Sequence, residues 1–139
     1  MILFINTAEE KNILVALIDN QKIKAKQESK SEYRQIEELL PLIAKLLKSN
    51  KVKLEDLSGI IVVVGPGGFT SIRIGVVTAN ILSFALNIPV VGVKKEVEHD
   101  LADLVEEGLA KLKKAKTGEI VMPFYDKEPN ITTPKNRES

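Results

Sequence analysis

Ile61-Val62-Val63-Val64-Gly65-Pro66-Gly67-Gly68-Phe69-Thr70-Ser71-Ile72-Arg73-Ile74-Gly75 is the stretch from which the fold can be read. With Ile60 it begins as an unbroken β-branched run, the pattern of a strand buried on both faces at the centre of a sheet. Gly65, Pro66, Gly67 and Gly68 form a loop, and Thr70 is placed to cap a helix running to about residue 87. Backbone N–H groups at such a helix start can hold an anion. Two familiar uses fail on the letters. A phosphate loop of the Walker type needs a lysine that this loop lacks, and a dinucleotide fingerprint needs glycine where Thr70 stands. The plainer reading is a tight strand-to-helix turn with close backbone packing.

Outward from this centre, residues 2–6, 12–18 and 21–27 read as three strands joined by short turns, an antiparallel meander whose last, lysine-rich member suits a sheet edge. Ser29 and Glu32 fit a capping box for a helix to about residue 50. Pro41 inside it cannot donate to the Glu37 carbonyl and should kink it. Beyond the central helix, Pro89 begins a short strand at 90–93. A third helix is expected over residues 95–116, with Val97, Leu101, Leu104, Val105, Leu109 and Leu112 at helical spacing, acids first and lysines last. Residues 119–122 read as one more strand, and the chain is then polar and punctuated by prolines. The order β-β-β-α-β-α-β-α predicts an α/β fold, a mixed five-stranded sheet with helical crossovers, as one lobe over residues 1–122 and a tail over 123–139.

The chain has 139 residues, no cysteine, one histidine (His99) and a net charge of +1. These values fit one domain with a core of its own. They exclude a disulfide framework, thiolate chemistry and a zinc site built from several His or Cys ligands, and they speak against nucleic-acid binding through bulk charge. No metal or cofactor is expected. Residues 1–7 have no basic n-region and too short an apolar run for a signal peptide, and the Ile60-to-Val64 run is far short of a membrane span, so the expectation is a cytoplasmic protein without membrane contact.

The helix from Thr70 is apolar on two sides. Ile72, Gly75, Val76, Ala79 and Ser83 lie in one stripe, and Ile74, Val77, Ile81, Phe84 and Ala85 in the other. A sheet covers only one of them. Small residues four apart at Gly75, Ala79 and Ser83 let another backbone approach, which marks the first stripe as a partner seam. On the preceding helix, Ile36, Leu39, Leu40, Ile43 and Leu47 join that expected interface.

The quoted stretch resembles the GPGSFTGLRIG signature of the TsaB (YeaZ) family. Residues 31–43 are similar to its SERLLPLI helix, and residues 87–93 to its GIPLVGV strand. Order and spacing agree from residue 1 to about 93, and Pro123-Phe124-Tyr125 is similar to a proline-tyrosine stretch near the family's C-terminus. The resemblance implies an actin-like, ribonuclease-H-like ATPase fold in a non-catalytic companion of TsaD, the subunit that makes threonylcarbamoyladenosine (t6A) on tRNA. It implies a heterodimer with TsaD through the first two helices, docking of the TsaE ATPase on that pair, and tRNA contact that is at most indirect. Three features depart from the pattern. Asn6-Thr7-Ala8 stands for the family's Asp-Thr-Ser, and Gly68 and Ser71 replace the signature's Ser and Gly. The chain after Val93 is too short for the usual second lobe, which carries part of the TsaE surface.

Two other readings compete. One is a nucleotide-dependent phosphotransferase or hydrolase of the same superfamily, with Glu9, Glu10 or Asp19 as its acids, although solvated turn positions are the simpler explanation of all three. The other is a homodimer held by the same helices.

Overall fold

The structure, a computed structural model, describes residues 1–9, 11–30 and 35–124, with the side chains of Gln35 and Ile36 outside the description. Chain order is β1 (Ile2–Asn6), β2 (Ile13–Asp19), β3 (Lys22–Ser29), α1 (Gln35–Ser49), a 3₁₀ turn, β4 (Gly59–Gly65), α2 (Phe69–Leu86), β5 (Val90–Lys94) and α3 (Leu101–Leu112). The strands form one sheet in the order β3-β2-β1-β4-β5. β1, β2 and β3 pair antiparallel, with Asn6 opposite Leu14 and Ile13 opposite Ser29. β1–β4 and β4–β5 pair parallel, with Ile2 opposite Gly59 and Ile61 opposite Val91.

This topology follows from patterning. β4 is apolar at every position between its glycines and is buried throughout, so it takes the interior of the sheet beside β1. β3 alternates exposed lysines with half-buried residues and takes the edge. Right-handed crossovers from β3 to β4 and from β4 to β5 put α1 and α2 side by side on one face. α3 covers the other, with Gly108 against Ile61 and Leu112 beside Gly59, two strand positions that share a side. Phe4, Ile5, Ile60, Ile61, Val62 and Val63 lie at zero exposure between the helical layers, each burial contributing roughly 1.5–3 kcal/mol. At the free edge of β5, Lys111 Nζ donates to the Gly92 carbonyl at 2.7 Å.

Several expectations are corrected by the packing. α3 starts at Leu101, where Asp100 closes a capping box with Asp103, and not at residue 95. Val97, which fitted the helical spacing, is fully exposed in the connection before it. Residues 119–122 pair with no strand and run instead across α2. Ser29 ends β3 and its hydroxyl donates to Glu38 Oε1 at 2.6 Å, while the expected partner Glu32 lies outside the described residues. Gly68, and not Thr70, is the N-cap of α2. The tail expected from residue 123 begins with Pro123 and Phe124 packed on the body, and residues 125–139 lie outside the description.

Candidate functional site: a closed glycine loop and an open helix face

The glycine loop lies at the carboxyl ends of β1, β4 and β5, where open α/β sheets bind their ligands. The register of β4 against β5 shifts between Val63 and Gly65, and Gly65 turns out of the strand at φ +135°, a conformation that suits only glycine. The Gly65–Pro66 peptide is cis. Gly67 lies against the Ala8 backbone, and Gly68 opens α2 with its carbonyl accepting from Ile72 N–H at 3.0 Å. Asn6 does not reach into the loop. Its Oδ1 accepts from Ala8 N–H at 2.9 Å, shaping the turn after β1. Thr7 is buried, and its hydroxyl donates to the Ser71 carbonyl at 2.5 Å, pinning the first turn of α2 to β1. Thr70 and Arg73 are exposed, as is Phe69, and Pro66 is half-buried.

The acids proposed for an enzyme do not converge here. Asp19 lies opposite the start of β1 and Glu9 lies beyond its end, so five residues of strand, roughly 17 Å at about 3.3 Å per residue, separate the two. Glu10 is outside the described residues. Glu9 accepts from Lys95 Nζ at 2.8 Å. That hydrogen bond and the lysine's charge hold its carboxyl below the usual glutamate range, against partial burial, which pushes the other way. His99 lies in the connection before α3, with Nε2 3.7 Å from Glu96. Among the described residues no group of three or more His, Cys, Asp or Glu is arranged to hold a metal.

A short segment closes the loop from outside. Asn80, in the middle of α2, donates from Nδ2 to the Val121 carbonyl and accepts Val121 N–H on Oδ1, both at 3.0 Å. Three residues on, Phe124 N–H donates to the Val64 carbonyl at 2.8 Å, and Lys94 Nζ lies 4.0 Å from the centroid of the Phe124 ring.

The second surface is α2 itself, and the stripe expected as a partner seam faces inward. Ile72, Gly75, Val76, Ala79 and Ser83 are buried, because this stripe packs on the chain's own sheet. Gly75 is in contact with Thr7, so its missing side chain serves β1 and not a partner. Leu39, Ile43 and Leu47 are likewise buried in the core, and the Ile36 side chain is not described. Of the expected α1 residues Leu40 is open, at 55% exposure. The uncovered stripe is the other one, with Val77 at 53%, Ile81 at 60% and Phe84 at 89% exposure. A pocket of about 330 Å³ lined by Thr70, Arg73, Ile74, Val77 and Thr78 opens at its start. α2 is as long and as apolar as a membrane span, yet one side of it is buried in this fold.

Spacing alone divides α2 correctly into two stripes but does not say which meets the sheet. The small residues decide it, since a helix lies closest to its sheet where its side chains are smallest. The pairing of Asn80 with Val121 had only one sequence signal, a lone amide between two apolar stripes.

A family profile described as "TsaD: tRNA N6-adenosine threonylcarbamoyltransferase" matches residues 23–127, well over half of the chain. A protein of Buchnera aphidicola subsp. Schizaphis graminum named tRNA threonylcarbamoyladenosine biosynthesis protein TsaB is 44% identical over 55 residues, covering 40% of this chain and 26% of that protein. Its counterpart of the same name from Buchnera aphidicola subsp. Acyrthosiphon pisum is 29% identical over 117 residues, 84% of this chain and 49% of the relative. A tRNA N6-adenosine threonylcarbamoyltransferase of Vesicomyosocius okutanii is 38% identical over 76 residues, 55% of this chain and 22% of that one. Among solved structures, YeaZ from Pseudomonas aeruginosa superposes with a TM-score of 0.63 at 30% identity, over 67% of this chain and 43% of that chain. Another, with the same score and identity, is described as similar to "peptidase YEAZ" from Pseudomonas aeruginosa and is covered to 42% of its length. The chain thus spans half or less of the relatives it matches. With the actin-like, ribonuclease-H-like sheet order and these likenesses together, the chain belongs to the TsaD-type family, alongside its members named TsaB or YeaZ.

Proposed function

We propose that this chain is a non-catalytic subunit of t6A formation on tRNA, which docks a TsaD-type catalytic subunit through the outer face of α2. The observation that carries this reading is the uncovered apolar stripe of Val77, Ile81 and Phe84, with Leu40 exposed on the neighbouring α1. A monomer gains nothing by exposing a phenylalanine at 89% in the last turn of an ordered helix, whereas an interface core is built of such residues. The docking surface named at the outset moves by this reading to the opposite side of the helix. The absence of a catalytic role is supported by the glycine loop being covered by Phe124, by Glu9 being paired with Lys95, and by Asp19 standing at the far end of the sheet. A metallopeptidase role is disfavoured by a composition with one histidine and no cysteine. Involvement in t6A formation rests on the names of the relatives.

The competing reading is a homodimer, in which a second copy of this chain covers the same exposed residues.

Co-purification with the TsaD-type subunit of the same organism tests the reading. Phe84→Glu and Val77→Glu each abolish the complex while circular dichroism and thermal unfolding of the chain alone stay unchanged, since neither side chain is buried. A complex that survives both substitutions overturns the assignment of this face. Normal t6A synthesis reconstituted without the chain overturns the function.

A further inference from the structure

We propose that residues 121–124 form a releasable strap across the carboxyl end of β4, with Asn80 of α2 as its catch. The strap couples the glycine-loop crevice to the outer face of α2. This goes beyond the docking function and holds whatever covers that face.

The geometry has three parts. Asn80 presents to Val121 one donor and one acceptor, both at 3.0 Å, which is the pairing a neighbouring strand residue would offer, made here by a side chain. The register shift in β4 turns the Val64 carbonyl out of the ladder, and Phe124 N–H occupies it at 2.8 Å. Gly65 then supplies the room, because a side chain at that position would run into the Phe124 carbonyl. Lys94 over the Phe124 ring closes the far side.

Among the described residues the strap is held by these few contacts and by Val121, which packs half-buried against the core. It belongs to no strand or helix, and Ile120 and Met122, on either side of the anchored Val121, are each 69% exposed. Segments with few buried apolar contacts open locally at low free energy while the sheet stays folded. Opening exposes the Val64 carbonyl and the crevice above Gly65, and it frees the Asn80 amide at the border of the stripe of Val77, Ile81 and Phe84. Any molecule that takes the place of Phe124 at the end of β4 therefore loosens the catch on α2. By reciprocity, any contact on α2 that fixes Asn80 on Val121 keeps the crevice shut.

Amide hydrogen exchange by NMR on the full chain tests this. In the unsubstituted protein the Val121 and Phe124 amides are protected and exchange together, faster than Ile61 and Val62. Asn80→Ala accelerates both by about tenfold or more, with β4 unchanged as proof of folding. The Phe124 amide is bonded to the Val64 carbonyl and not to Asn80, so its acceleration reads the strap as one unit. Lys94→Ala, at an exposed position, accelerates both amides by about twofold to fivefold. Unprotected Val121 and Phe124 amides in the parent chain overturn the proposal. So does a Phe124 rate that Asn80→Ala leaves unchanged, or a Val121 rate that Lys94→Ala leaves unchanged.

Discussion

Gly75 and Thr7 meet where α2 crosses the end of β1, and the whole placement of that helix depends on the contact. The Thr7 hydroxyl, fully buried, is committed to the Ser71 carbonyl one turn earlier. A Cβ at position 75 would collide with that hydroxyl. Gly75→Ala therefore destabilises the chain by about 1–3 kcal/mol despite alanine's better helix propensity. Thr7→Ala alone costs about 1 kcal/mol for the lost hydrogen bond. Together the two cost clearly less than their sum, because the second removes the atoms that the first strikes. Urea unfolding of the four chains checks this, and additive costs would mean that the two residues do not touch. Gly75→Leu, which a partner seam at this stripe would make a test of binding, instead unfolds the chain before any partner is involved.

The helix and strand boundaries depend on a few terminal residues. α2 ends because Asn87 adopts a left-handed conformation (φ 55°, ψ 49°), after which Ile88 N–H returns to the Ser83 carbonyl at 3.1 Å and the Ser83 hydroxyl donates to the Ile88 carbonyl at 2.5 Å. Asn87→Gly leaves the thermal midpoint nearly unchanged and Asn87→Ala lowers stability by about 1 kcal/mol, since alanine pays the full cost of that backbone conformation. Equal effects of the two would remove the conformational explanation. All five strands and the first two helices were legible at this scale, because alternation and unbroken β-branched runs report burial directly. The start of α3 was not, since Val97 keeps helical spacing by chance while the Asp100 capping box sets the true boundary. Nor was the fate of residues 119–124. Their apolar letters suit a strand, but the pairing groups they use belong to Asn80 and to a register shift in β4, neither of which periodicity can reveal. The candidate surface was legible as two stripes on one helix, and the packing of Thr7 under Gly75 shows that the small-residue stripe is the inward one.

For the molecule as a whole, the described residues form one sheet with helices on both faces. The connection after β1 is tied to the end of β5 by Glu9 and Lys95, both partly exposed. Because the folded-state pKa of Glu9 lies below its ordinary value near 4.5, the stability from this pair is present above that pH and disappears as pH falls through the lower, folded value. Glu9→Gln accordingly lowers stability at pH 7 by less than about 1 kcal/mol, less still in high salt, and changes nothing at pH 2. Urea midpoints at the two pH values measure it, and a deficit that persists in acid would assign the effect to packing. The two borders of the sheet have a consequence for how copies of this chain can meet. β3 lines one border with exposed lysines, and at the other the Lys111 ammonium occupies a carbonyl that a foreign strand would need. A newcomer pairing backbone to backbone would have to strip an ammonium from its acceptor on one side and bury unmatched ammonium groups on the other. Growth of the sheet from molecule to molecule, the usual route to fibrils for a chain this rich in valine and isoleucine, is thereby blocked at both borders, and assembly is directed to the helical side.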